Sequence, residues 1–163
     1  MENTNSNVKN KYFHYSTKPF TLEFKKYIQN EDSAKPIGFW FSKNTEWLDW
    51  CESEELFLLK ESVIANELSI DFTNILVIDS IEKLQWLSSN FCLDNIIYHG
   101  INIDWCQVAS QYDGVYFDNY YSIQEQLRAE NLFHEYLWYF TVDINSGCIF
   151  TTGKIININQ VNN

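Results

Sequence analysis

The chain has 163 residues, of which 45% are hydrophobic and 20% are charged, and its formal net charge is −11. A chain of this length forms one domain that buries roughly 70% of the surface its unfolded state exposes. A negative charge of this size repels phosphate backbones, so direct nucleic-acid binding is not expected and a basic protein partner is favoured.

The first ten residues are polar and rich in asparagine, which predicts a disordered leader before a single domain over residues 11–158 and a tail over residues 159–163. Within the domain, the aromatic residues 12–16 predict a first strand. Residues 22–29 carry apolar side chains at a spacing that predicts a short helix. A second strand is predicted over residues 37–42, and it is expected to be central because it is apolar on both faces.

Residues 44–52 predict a helix whose core face carries Trp47, Trp50 and Cys51. Residues 56–64 have the composition of a strand, and residues 74–78 predict a buried strand.

Three helix starts are predicted from capping patterns, Asp79-x-x-Glu82, Asp104-x-x-Gln107 and Ser122-x-x-Glu125. Between the last two, residues 112–118 predict a turn that leads into a strand.

Near the end of the chain, strands over residues 137–142 and 148–152 are predicted to form a hairpin through residues 143–147, and the last strand is expected to extend to residue 158. Helices interspersed with many short strands predict an α+β domain with mixed or antiparallel sheets.

The four cysteines, Cys51, Cys92, Cys106 and Cys148, are widely spaced and form no CxxC pair. This spacing fits neither a disulfide framework nor a zinc site, so we expect reduced thiols in a cytoplasmic protein, of the producing or a host cell. No apolar run is long enough for a signal peptide or a membrane span, so no membrane association is expected.

Several common catalytic motifs are absent from the sequence, including GxGxxG, the P-loop, HExxH and GxSxG. The three histidines lie far apart, so no metal site is expected. A nucleophilic pair of Cys106 with His99 remains open, without local support from the sequence.

Two segments stand out, Tyr-Phe-His-Tyr-Ser at 12–16 and Lys-Pro-Ile-Gly-Phe-Trp-Phe-Ser at 35–42. In this order they resemble the opening of the ADP-ribosyltransferase fold, and they are similar to the matching strands of small phage anti-CRISPR ADP-ribosyltransferases. The resemblance implies an α+β fold with split mixed or antiparallel β-sheets and short flanking helices. It also implies an NAD pocket built from these two strands.

The resemblance assigns His14 and Ser16 to the ribose and carboxamide of NAD, since positions i and i+2 of a strand share a face. The aromatics of the second strand are expected to wall the nicotinamide. The residues expected to contact NAD are His14, Tyr15, Ser16, Gly38, Trp40, Phe41, Ser42 and Tyr116.

Cleavage of nicotinamide from NAD leaves a ribosyl cation, which a nearby anion stabilises. Most relatives carry a glutamate on a late strand, but the matching segment here, residues 114–118, has Tyr116 at that position. Asp118 shares the face of Tyr116 and is the expected acid, together with His14 as the second catalytic residue. Asp113, Glu125 and Asp143 are weaker candidates.

The function implied by the resemblance is an NAD-dependent mono-ADP-ribosyltransferase, with NAD as substrate, that modifies a protein target as an effector or anti-defence protein. The net charge of −11 favours a target with a basic surface. The alternative is a catalytically inactive acidic protein that binds a basic, nucleic-acid-binding partner by charge mimicry, with Tyr116 marking a lost active site.

Overall fold

The computed structural model describes residues 10–19, 21–30, 33–54, 56, 63–93 and 100–161. The strands in this part of the chain are β1 Tyr12–Ser16, β2 Phe39–Lys43, β3 Ile64–Ile70, β4 Ile75–Ile78, β5 Gly114–Phe117, β6 Ser146–Ile149 and β7 Ile155–Val161. The α-helices are α1 Glu46–Ser53, α2 Ile81–Asn90, α3 Trp105–Gln111 and α4 Tyr120–Ala129, and two short 3₁₀ helices span Tyr139–Thr141 and Thr152–Lys154.

The strands form one seven-stranded sheet in the order β4-β5-β6-β2-β1-β3-β7. β4 and β5 are parallel and the other neighbours are antiparallel. The expected α+β class and the central position of β2 are confirmed. The expected split into separate sheets is not found among the described strands, because β6 pairs with β5 on one side and with β2 on the other.

One face of the sheet is covered by helices and holds the larger core. In α2, Ile81, Leu84 and Leu87 recur at helical spacing and are buried against it. The connection from β4 to β5 runs through α2 and α3, as parallel neighbours require. α3 begins at the predicted cap, where the Asp104 carboxylate accepts a hydrogen bond from the Gln107 amide at 2.9 Å.

The opposite face holds a smaller apolar cluster that includes Phe39, Phe41, Tyr116 and Ile149. Phe72 closes part of it, with its ring centroid 5.5 Å from that of Tyr116. We call the helix-covered side the helix face and this side the opposite face.

Residues 22–29 do not form the predicted helix. They run extended beside the end of β6, where Lys26 bridges Thr151 and the amide of Tyr27 donates to the carbonyl of Phe150 at 2.8 Å. Phe24 and Ile28 are 81% and 87% exposed, so the apolar spacing does not mark a buried helical stripe.

Two predicted helix starts are wrong, one in its capping residue and the other in its position. Ser80 rather than Asp79 caps α2, accepting from the Lys83 amide at 3.4 Å. α4 begins two residues before Ser122, after Asn119 turns the chain with φ of 56°.

The predicted hairpin near the end of the chain is also wrong. Residues 137–142 form turns and a 3₁₀ helix, and β6 finds its partners in β2 and β5 instead. The last strand, expected to run from residue 148 to residue 158, is instead two strands, β6 and β7, separated by the 3₁₀ helix Thr152–Lys154, and β7 continues to Val161.

Most of the strand-like stretch at 56–64 and nearly all of the predicted leader lie outside the described residues. β3, Ile64–Ile70, begins at the last residue of the predicted stretch.

Candidate functional site

A cleft of about 300 Å³ opens on the helix face between β1, β2 and α1. Residues 142–146, which lead into β6, close its remaining side. Its walls are mainly aromatic, and the side chains that supply them are Phe13, Tyr15, Trp40, Trp47 and Trp50.

The strand register explains why these side chains meet. Phe13 pairs with Ser42 across β1 and β2, and the same antiparallel register places Tyr15 opposite Trp40. Alternate residues of a strand share a face, so Phe13, Tyr15, Trp40 and Ser42 all point to the helix face. In α1, Trp47 and Trp50 lie three residues apart and therefore cover the cleft from one side of the helix.

The aromatic wall lies in an acidic environment. Tyr15 stacks on Trp47 with ring centroids 4.7 Å apart and an interplanar angle of 20°. Burial, with a further contribution from the negative charge of Asp49, raises the pKa of Tyr15 to about 12. Electron-rich ring faces with a carboxylate nearby favour a planar, cationic ligand.

The floor of the cleft carries two hydroxyl groups from neighbouring strands. Ser42 and Ser146 are directly opposite each other across β2 and β6 and are only 3% and 5% exposed. Neither Oγ has a hydrogen-bond partner among the described residues. An unpartnered buried hydroxyl is costly, and the same condition is found at Ser88, Tyr116 and Tyr139, away from the cleft lining.

An ion pair spans the rim of the cleft. The Lys35 ammonium lies 3.5 Å from a carboxylate oxygen of Asp143 and 6.0 Å from the ring centroid of Trp40. Both charged side chains are partly exposed, so solvent screens their attraction and the pair opens at little cost.

The segment that closes the cleft is held by Asn145. Its backbone amide and its side-chain amide donate to the two carboxylate oxygens of Glu46 at 3.0 and 2.9 Å. Its side-chain oxygen accepts from the Tyr120 amide at 2.8 Å, and its carbonyl accepts from the Lys43 amide at 3.0 Å. These bonds tie the ends of α1, α4 and β2 to one loop, which fixes the positions of Asp143 and Ser146.

Five of the predicted NAD contacts border the cleft: Tyr15, Trp40 and Ser42 point into it from the helix face, and the side chains of His14 and Phe41 turn to the opposite face. His14 and Ser16 share a face, as the spacing predicts, but it is the opposite face. His14 borders the cleft, yet its ring lies 4.1 Å from that of Phe39 and its Nδ1 is 2.7 Å from the Trp40 carbonyl. Burial lowers the pKa of His14, and the hydrogen bond to Trp40 partly offsets this effect.

Ser16 lies beside β3, where its Oγ accepts from the side-chain amide of Asn66 at 3.1 Å. Gly38 lies just before β2, and a β-carbon there would collide with the Ile149 carbonyl and the Cys148 sulfur. This glycine is therefore needed for close approach to β6.

Phe41 and Tyr116 stack on each other on the opposite face, with ring centroids 5.7 Å apart and an interplanar angle of 18°. Asp118 lies on the same side and forms an ion pair with Lys43 at 2.8 Å. Burial and the nearby charge of Asp118 raise the pKa of Tyr116. The structure thus brings Tyr116 and Asp118 together, but not with Trp40 and Ser42.

Sequence reasoning missed Phe13, Lys35 and Ser146 and assigned Trp47 and Trp50 to the core. The Trp-x-x-Trp spacing already indicated one shared helical face, and only the cleft beneath it was unknown. Asp143, a weaker candidate for the acid, is the carboxylate that the structure places at the cleft.

Within the described residues, no group of three histidine, cysteine, aspartate or glutamate side chains is arranged to hold a metal ion. None of the helices in this part of the chain is long and apolar enough to cross a bilayer. Among the cysteines, Cys51 and Cys148 are buried and Cys92 is exposed.

Comparison of the chain with protein-family models, curated proteins and solved structures finds no significant match.

Proposed function

We propose that the aromatic cleft binds NAD and that the protein is an NAD-dependent mono-ADP-ribosyltransferase acting on a protein target. The observation that supports this proposal is the aromatic cleft itself, which lies on β1 and β2, the two strands that carry the family resemblance. Its volume of about 300 Å³ suits the nicotinamide and its ribose, while the rest of the dinucleotide extends through the open mouth.

The nicotinamide ring of NAD is a planar pyridinium cation. In the proposed complex it packs between the indole rings of Trp40 and Trp47, where ring faces attract a cation. The surrounding aromatic side chains exclude water, which strengthens every charge interaction at the reacting carbon.

Asp143 takes the role of the stabilising acid in this proposal, because it lines the cleft while Asp118 is paired with Lys43 on the opposite face. The ribose C1′–nitrogen bond breaks and its electron pair leaves with neutral nicotinamide. The carboxylate of Asp143 stabilises the ribosyl cation until a nucleophile of the target attacks C1′ and releases its proton. Lys35, freed from Asp143, pairs with the pyrophosphate of NAD.

The first test measures the thermal unfolding midpoint with and without millimolar NAD. A ligand at a hundred times its Kd stabilises by about 2.7 kcal/mol, a shift of roughly 5–10 °C for a domain of this size. Trp47→Ala is expected to abolish the shift. Trp86→Ala, which changes a half-exposed indole on α2, is the matched control and is expected to retain it.

The second test follows nicotinamide release from NAD by chromatography, with polyarginine offered as a basic acceptor. We expect release that depends on Trp47 and Asp143 and is accompanied by modified acceptor. If the wild-type protein shows neither a thermal shift nor nicotinamide release, the proposal is refuted.

A second function is favoured by the ion pair between Asp118 and Lys43, which holds the expected acid away from the cleft. On this alternative the protein is an inactive acidic module whose net charge of −11 engages a basic partner. Such binding weakens steeply between low and high salt and survives Trp47→Ala. Binding to a basic protein that is insensitive to salt contradicts it.

A further inference from the structure

The strand β7 forms one edge of the seven-stranded sheet and, among the described strands, pairs only with β3. An edge strand presents a row of backbone N–H and C=O groups that can pair with another chain. Ile156, Asn157 and residues 159–161 are exposed, Ile156 by 70%. The other edge strand, β4, has only four residues, against seven in β7. Of the two edges, β7 therefore offers the longer surface for pairing between molecules.

The usual protections of an edge strand are nearly absent from β7. Proteins block such edges with charged side chains, with proline or with a bulge. Residues 155–163 contain no charged residue and no proline, in a chain whose formal net charge is −11. A bulge at Ile156, between the pairs Ile70–Ile155 and Ser69–Asn157, affects only the start of the strand. The regular stretch at 157–161 carries none of these protections.

The absence of charge favours a second copy of this chain as the partner of β7. Two acidic copies repel each other, and the repulsion is least where the facing strands carry no charge. A charged partner, by contrast, finds no complementary charge in residues 155–163. We propose that two copies of the protein associate through antiparallel pairing of their β7 strands, so that the seven strands of each copy join in one continuous sheet.

The symmetry of such a dimer fixes which residues meet. A two-fold axis perpendicular to the sheet relates the copies, so each residue keeps its face and the residue on the axis lies opposite itself. The middle residue of the regular stretch is Asn159, which is therefore the expected centre. Asn159 lies opposite Glu67, and Glu67 lies opposite Phe13, so the Asn159 side chain is on the helix face. Its carboxamide both donates and accepts, which makes two facing copies complementary.

The dimer is expected to be weak and to leave the aromatic cleft open. Pairing of five residues from each copy buries less than the roughly 1,600 Å² of a standard interface, so we expect a dissociation constant that is micromolar or weaker. β3 and β1 lie between β7 and β2, so the pairing is independent of NAD binding in the cleft. Because salt screens the repulsion between acidic copies, association is expected to strengthen as the salt concentration rises.

The experiment uses opposite charges at the proposed centre, Asn159→Asp and Asn159→Lys. Sedimentation velocity measures self-association of each variant, and of an equimolar mixture of the two, from low micromolar to submillimolar concentration. The controls are Gln126→Glu and Gln126→Lys, which make the same charge changes at an exposed position on α4. All four variants change exposed side chains and are expected to keep the unfolding midpoint of the wild type within a few degrees.

We expect each Asn159 variant to self-associate about tenfold more weakly than the wild type, because like charges then face each other across the axis. The mixture is expected to associate more tightly than either variant alone, since a heterodimer places Asp opposite Lys. Both Gln126 variants are expected to behave as the wild type does. Amide hydrogen exchange supplies a test that needs no variant, because exchange at 157–161 is expected to slow as the wild-type concentration rises.

Four results overturn this dimer. The first is a wild-type protein that remains monomeric over the whole concentration range at high salt, which would leave the β7 edge to another protein or to no partner. The second is association that neither charge at Asn159 weakens, which would place the interface elsewhere. The third is a mixture that associates no better than the separate variants. The fourth is hydrogen exchange at 157–161 that does not change with concentration.

Discussion

Asn145 is the residue whose removal tests most directly how the cleft is held together. Asn145→Ala deletes the side-chain bond to Glu46 at 2.9 Å and the bond that satisfies the first amide of α4, at 2.8 Å. The two backbone bonds of residue 145 remain possible in the variant. The change therefore isolates the contribution of one amide side chain to the packing of α1 and α4 around the cleft.

The expected magnitude follows from the two lost bonds. The bond to the Glu46 carboxylate contributes about 1.5–3 kcal/mol when buried, and less here because it is only partly buried. Loss of the acceptor at the start of α4 resembles loss of a helix cap and costs about 1 kcal/mol. Together these predict a decrease of about 2–3 kcal/mol in the free energy of unfolding, a large share of the roughly 5–15 kcal/mol of a typical domain.

The assay is urea unfolding followed by tryptophan fluorescence, with the midpoint expected to fall and the m-value to stay constant. Asn157→Ala is the control, because Asn157 is exposed and its side-chain amide donates only to the neighbouring Asn159 among the described residues. It is expected to change stability by less than about 0.5 kcal/mol. The reasoning fails if Asn145→Ala falls within the range of that control.

Three further predictions follow from the same geometry. Asp143→Asn is expected to lower the rate of nicotinamide release at least tenfold, because this carboxylate lines the cleft. Asp118→Asn is expected to leave the rate within about twofold of wild type, because Asp118 is paired with Lys43 outside the cleft. A larger loss of activity in Asp118→Asn than in Asp143→Asn contradicts the proposed role of Asp143. Gly147→Ala is expected to destabilise by about 1–3 kcal/mol in urea unfolding, since its β-carbon meets the ring of Phe41, and unchanged stability argues against that packing. Burial lowers the pKa of His14 below its ordinary 6.5, so the unfolded chain binds more protons. Stability is therefore expected to fall as pH drops below about 6.5, and His14→Gln to flatten that part of the profile; identical profiles for the two proteins contradict the depressed pKa.

Local patterns in the sequence were sufficient to predict several helices and strands. The aromatic composition of β1, the short apolar run of β4 and the helical spacing of α2 are all local features, so the types of these elements were predictable without knowledge of their neighbours. The cap at Asp104 was predictable for the same reason, because a capping side chain bonds to an amide only three residues away.

The faces of β1 were not predictable, and they decide which residues form the cleft. Four of its five residues are aromatic or histidine, so no alternation indicates whether His14 or Tyr15 faces the helices. The choice follows from what packs on each side, Trp47 against Tyr15 and Phe39 against His14. A shift of one residue exchanges the two faces, so the assignment depends on tertiary contacts.

The sequence by itself determined the α+β class, the two aromatic strands and the acidic charge, because composition and local period carry that information. Only the tertiary structure placed β6 between β5 and β2, which sets Ser146 opposite Ser42 and Asp143 at the cleft mouth. These residues lie about a hundred positions apart along the chain. Pairing over that distance depends on how the whole sheet buries its apolar surface and satisfies its backbone hydrogen bonds. No local segment of the sequence contains that information.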